Sequence, residues 1–135
     1  MPDWISVRTP NGESIATSRA PFDAETAHTL VKAARRVQRP VGSTSKPRSS
    51  IYVALLEFGA NDYGLYVGMT GRTPDERYVN HKSGYKSSRW VRRYGVGLLP
   101  ALYRHLNPLG WEDATKAEVA LAEALAQTGI VVKQA

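Results

Sequence analysis

Residues 50–70 read SIYVALLEFGANDYGLYVGMT, and the fold turns on how that stretch is taken. Ile51 to Phe58 is a run of apolar and β-prone side chains of strand length, the pattern of a strand buried in a sheet. Tyr63 to Met69 is a second such run, and the residues between, Gly59-Ala60-Asn61-Asp62, are turn formers. Two strands joined by so short a connection predict an antiparallel hairpin.

The chain then changes period. Thr73-Pro74-Asp75-Glu76 carries three helix-start signals at once: Thr73 can cap, Pro74 suits the first helical position, and Glu76 completes a capping box. That helix should run to about Ser83 and stop at Gly84. A second short helix is expected from Ser87 to Tyr94, with Trp90, Val91 and Tyr94 inward and Gly95 ending it. Residues 98–106, LLPALYRHL, read as an irregular or edge strand, because Pro100 has no N–H for a sheet ladder. Asp113 or Thr115 opens a helix reaching Gln127 and ending at Gly129, and Ile130, Val131 and Val132 suggest a short closing strand.

Upstream, Trp4, Ile5 and Val7, then Ile15 and Thr17, are strand-like and flank the turn signal Pro10-Asn11-Gly12. Asp23 is placed to cap a helix to about Gln38, whose apolar positions Ala27, Leu30, Val31, Ala34 and Val37 follow helical spacing. Residues 41–50 (VGSTSKPRSS) are small, polar and basic, the composition of a linker or exposed loop. The expected organisation is a hairpin–helix extension over 1–40, a linker over 41–50 and one domain over 51–135. Its fold class is α/β (α+β), a small central antiparallel sheet flanked by helices.

Composition narrows the function. The chain has 135 residues, 42% of them apolar and 22% charged, a mix suited to one globular domain. With no cysteine, disulfides, thiol catalysis and cysteine-held metal sites are excluded. No apolar run nears the roughly 20 residues of a membrane span, and the Met-Pro-Asp-Trp start lacks a secretory pattern. A cytoplasmic protein is the expectation.

The net charge is +6, and Arg77 to Arg104 holds seven basic residues and no acidic one. Tyr78, Tyr85, Trp90, Tyr94 and Tyr103 are interleaved with them. Cations hold phosphates while rings stack on bases, so this stretch suits a nucleic-acid surface. Arg72, Lys82, Lys86, Arg89, Arg92 and Arg93 are the candidate nucleic-acid contacts, with DNA the expected polymer and RNA the alternative.

Five side chains could form a reactive site. Tyr52 and Tyr66 sit on the two strands, Arg77 and His81 stand four apart on one helix face, and Glu118 lies in the first turns of the last long helix. Gly68 follows Tyr66 where a side chain would block close approach. Phosphodiester hydrolysis needs a proton acceptor for water, cations for the developing charge and a carboxylate to hold a metal. Taken singly, each residue has a plain structural reading as core tyrosine or solvated helix surface, and composition and spacing alone do not make an enzyme.

Their order, however, resembles the GIY-YIG endonuclease domain, a family that includes homing endonucleases, some restriction enzymes and the incision domain of nucleotide-excision repair. The likeness covers roughly residues 50–134: Ser50-Ile51-Tyr52, Tyr66-Val67-Gly68-Met69-Thr70, Arg77-x-x-x-His81 and Glu118, with Glu123 the fallback for the last. Serine stands for the first glycine, and the long interval from Tyr52 to Tyr66 implies an enlarged hairpin loop. The resemblance implies a Mg²⁺- or Mn²⁺-dependent endonuclease acting on DNA, with the metal at Glu118 and Arg77 stabilising charge. Tyr52 would be the general base and Tyr66 would position water, although the choice of base among Tyr52, Tyr66 and His81 stays open. The alternative is a catalytically inactive nucleic-acid-binding module of the same fold. Residues 1–50 could supply substrate contacts, a homodimer surface or a partner dock.

Overall fold

The computed structural model describes residues 4–8, 14–18, 22–84 and 86–134, the first two segments as backbone alone. Its centre is a four-stranded sheet built on the hairpin read from residues 50–70. Strand β3 (Ser50–Gly59) pairs antiparallel with β4 (Asp62–Thr70), Tyr52 opposite Gly68 and Ala54 opposite Tyr66. The strands run to Gly59 and Asp62, which face each other, so the connection is two residues, with Asn61 in the left-handed region at φ 58°. The long interval between the tyrosines is thus taken up by strand length and a bulge near Glu57, not by an enlarged loop.

Two further strands complete the sheet in the order β5-β3-β4-β6. β5 (Gly95–Leu98) is antiparallel to β3, and β6 (Val131–Gln134) is parallel to β4. The sheet is therefore mixed rather than purely antiparallel, because helix α4 (Trp111–Ala126) carries the chain back along β4 before β6 begins. The fold class is α+β as expected.

The expected irregular strand over 98–106 does not form as such. Leu98 ends β5, and Pro100 begins a single 3-10 turn, Pro100–Leu102, where its missing N–H is harmless. Asn107 nearby mimics a strand. Its Oδ1 accepts from the Ile51 N–H at 2.7 Å and its Nδ2 donates to the Ile51 carbonyl at 2.7 Å, completing the β3 edge beside Tyr52.

Helices cover both faces. α2 (Pro74–Ser83) has the full capping box of Thr73 and Glu76 and ends at Gly84, whose φ of 90° is the left-handed stop only glycine takes easily. α3 (Arg89–Tyr94) starts at an Ser88 cap, slightly later than expected. Both pack on the sheet face that carries Tyr52 and Phe58. On the opposite face α4 reaches Met69 through Thr115. α4 begins two residues before Asp113: its N-cap is Gly110, and Asp113 is buried in its first turn, accepting from the Ser43 N–H at 3.2 Å.

The N-terminal part is joined to this body. β1 (Trp4–Arg8) and β2 (Ser14–Ser18) form the expected antiparallel hairpin. Its Pro10-Asn11-Gly12 turn lies outside the described residues. α1 (Ala24–Arg35) is capped by Asp23, and Ala27, Leu30, Val31 and Ala34 enter the same core as the sheet residues. Burial of each such aliphatic side chain stabilises the fold by roughly 1.5–3 kcal/mol for the larger ones. Residues 41–50 do not hang loose: Ser43 and Ser45 hydroxyls donate to Glu112, and Ser49 exchanges backbone bonds with Leu109. Among the described residues no helix is long and apolar enough to cross a membrane.

Candidate active site

Opposite residues of an antiparallel pair point to one face, so the register puts Tyr52, Tyr66 and Gly68 on the side covered by α2. There His81 enters the last turn of α2. The Tyr52 hydroxyl and His81 Nε2 are 2.7 Å apart, and both residues are 1% exposed. The Tyr66 ring lies 6.1 Å from that of Tyr52 and edge-on to His81 at 5.8 Å. Three of the five predicted site residues thus touch one another.

Gly68 is what lets them meet. A Cβ on it would sit 2.5 Å from the Tyr52 hydroxyl oxygen and 2.6 Å from the adjoining ring carbon, so any side chain would displace the phenol. This is the close approach expected from the sequence.

His81 has a defined proton. Its Nδ1 accepts from the Ser88 backbone N–H at 2.8 Å, so the neutral ring carries hydrogen on Nε2 and donates it to the Tyr52 oxygen. Burial, with Arg77 nearby, lowers the His81 pKa to about 4, which keeps it neutral at physiological pH. Ser88 was not singled out in the sequence. Its role is a backbone contact made seven residues away from His81, and side-chain identity gives no sign of it.

Arg77 and Glu118 complete the group through their fields. Burial pushes the Tyr52 phenol well above its ordinary value; Tyr66 and Glu118 push in the same direction, while the Arg77 charge pulls it down. The Arg77 guanidinium is held in place by a bond to the Lys86 carbonyl at 2.8 Å. Glu118 is half-buried on α4, and burial raises its pKa. Glu123 is exposed. Tyr52 therefore rests protonated, and deprotonating it would need added positive charge close by.

Among the described residues no three His, Asp or Glu side chains gather into a metal-binding group. A Mg²⁺ ion typically keeps several waters and takes one or two carboxylates. Glu118, whose burial disfavours its charge, fits a site of that water-rich kind.

The six predicted nucleic-acid contacts are all exposed but differ in what they do. Lys82 Nζ donates to the Gly95 carbonyl at 2.8 Å and the Arg92 carbonyl at 3.2 Å, binding the end of α3. Arg72 faces Glu76 at 3.9 Å. Arg89 lies over the Trp90 ring and Arg93 over the Tyr94 ring, at 5.5 and 5.2 Å. Arg92 lies against Gly84, and Lys86 gives its carbonyl to Arg77. Arg89, Arg92 and Arg93 share a groove of about 640 Å³ with Trp90 and Tyr94.

The interleaved aromatics are not open stacking surfaces. Tyr103 is buried, Tyr78 half-buried, and Trp90 and Tyr94 pack on Phe58 beneath their covering cations. Tyr85 lies outside the described residues. No family model matches the chain, and neither a curated protein nor a solved structure matches it.

Proposed function

We propose that this chain is a divalent-metal-dependent endonuclease that hydrolyses phosphodiester bonds in DNA. The observation that carries this reading is the buried bond between Tyr52 and His81, with the Tyr66 ring against both and the charges of Arg77 and Glu118 acting on the Tyr52 phenol. A neutral histidine donating to a phenol oxygen favours the phenolate, and Arg77 acts in the same sense.

In this reading the Tyr52 phenol would first release its proton to solvent water under the positive charge of Arg77 and of an ion held at Glu118, and the phenolate so formed would then accept at its oxygen the proton of the attacking water. His81 Nε2–H holds that oxygen in place, Arg77 adds positive charge that favours the phenolate, and the Tyr66 hydroxyl would orient the water. The chemistry a Mg²⁺ or Mn²⁺ ion supplies when bound at Glu118 is neutralisation of charge on the scissile phosphate and the departing oxygen. Arg77 stabilises the same developing charge from the α2 side. The exposed arginines of α3 supply sequence-independent phosphate contacts.

Nicking of supercoiled plasmid with Mg²⁺ or Mn²⁺, beside an EDTA control, tests this directly. Nicking that EDTA abolishes is the expected result. Salt-sensitive DNA binding with no cleavage under any metal would instead assign the chain to the inactive binding module.

A further inference from the structure

Among the described residues one large aromatic stands open at the surface: Trp111, 61% exposed, in the first turn of α4. It lies seven residues before Glu118. Seven residues are two helical turns, so both side chains leave the same flank of the helix with their Cα atoms about 10 Å apart. Thr115, between them on that flank, donates to the Trp111 carbonyl and touches Met69, which points to the α4 face of the sheet; this sets the flank at the end of β4 beyond Val67, the last residue paired with β6.

The backbone under Trp111 is held from the other side. Glu112 accepts from the Ser43 and Ser45 hydroxyls, Asp113 accepts from the Ser43 N–H, and Gly110 lets the 43–45 segment press against the helix start. The ring is thus presented on a fixed base and, among the described residues, stays 61% exposed. Trp90 and Tyr94, by contrast, carry arginines on their faces and Phe58 below.

Building on the nuclease reading, we propose that Trp111 is a stacking platform for an unpaired base close to the cleaved phosphate, and that the preferred substrate is DNA with single-stranded character there. Bases offer a ring only when they leave the duplex stack, and aromatic side chains bind them through that face. A span of about 10 Å corresponds to roughly three stacked steps of a DNA strand, and fewer steps if the strand is extended. The α3 arginines would hold backbone of either form, whereas Trp111 discriminates between them.

The test is equilibrium binding in EDTA, where metal-dependent cleavage is absent, to a labelled unstructured oligonucleotide and to the same sequence as a blunt duplex. Trp111→Ala should weaken binding of the single strand by about 5- to 150-fold and leave the duplex within about twofold. Trp111→Phe, which keeps a ring, should recover most of the loss, and all three proteins should melt alike. Equal weakening for both DNAs, no weakening for either, or a change in melting temperature alone would overturn the proposal. Because binding is read without turnover, a protein that never nicks plasmid yet loses single-strand affinity in Trp111→Ala would sink the nuclease reading and keep Trp111 as a base-stacking site.

Discussion

Gly68→Ala adds one methyl group and probes the centre of the site. Its Cβ would lie 2.5 Å from the Tyr52 hydroxyl oxygen, whereas ordinary contact begins at 3.4 Å, so the phenol must retreat by about 1 Å. Tyr52 has little room to do so, being 1% exposed and bordered by Tyr66 and His81. Its bond to His81, 2.7 Å long, would open. Overpacking a core costs about 1–3 kcal/mol, and a lost hydrogen bond adds about 0.5–1.5 kcal/mol. A displacement of about 1 Å at a reacting group can slow turnover by roughly 10²-fold. Urea denaturation and plasmid nicking on one preparation read both effects. A Gly68→Ala protein as stable and as active as the parent would refute the claim that Gly68 seats the Tyr52 hydroxyl.

Three further outcomes follow from the same geometry. Tyr52→Phe should cut turnover by about 10²–10⁴-fold and leave His81 Nε2–H without its acceptor, at about 1–3 kcal/mol; Tyr66→Phe should cost less turnover, with rate and melting temperature measured together. The unfolded chain takes up a proton near pH 6.5 that folded His81 refuses until about pH 4, so stability is full above that range and drains as pH falls through it. The loss is roughly 3 kcal/mol, and denaturant titrations should show His81→Gln flattening it; an unchanged pH profile would mean that His81 is not buried neutral. Arg93→Gln should lower the salt slope of DNA binding by about 1. Lys82→Gln should instead lower stability, because its ammonium serves two backbone carbonyls rather than a phosphate.

What the sequence made legible were features set by local chemistry. The hairpin of residues 50–70, the Thr73–Glu76 capping box, the Gly84 stop and the Asp23 cap all formed where their residue types require. Gly68 was readable as a close approach because register is fixed by strand alternation. Features set by tertiary contact were not legible. Parallel pairing of β6 depends on which way α4 returns the chain, which no residue near Val131 encodes. The 41–50 segment reads as a linker by composition, yet its serines find Glu112 about 70 residues away. Asn107 acts as a strand edge, and the Ser88 N–H sets the His81 proton; both are backbone contacts that side-chain spacing does not reveal. The α3 aromatics looked available to stack because exposure cannot be read from interleaving alone, while Trp111, outside that run, is the ring left open among the described residues.

Cleavage by the parent protein and by Glu118→Gln, side by side across a Mg²⁺ and Mn²⁺ titration, tests the central claim most directly. The account predicts metal-dependent nicking by the parent, no nicking by Glu118→Gln at any metal concentration, and DNA affinity in that variant equal to or above the parent's, since one negative charge has gone. Full activity in Glu118→Gln would contradict the assignment of the metal to Glu118, and its loss in Glu123→Gln instead would move the metal to the next turn of α4. A parent protein that binds DNA and leaves the plasmid intact at every metal concentration would contradict the nuclease itself.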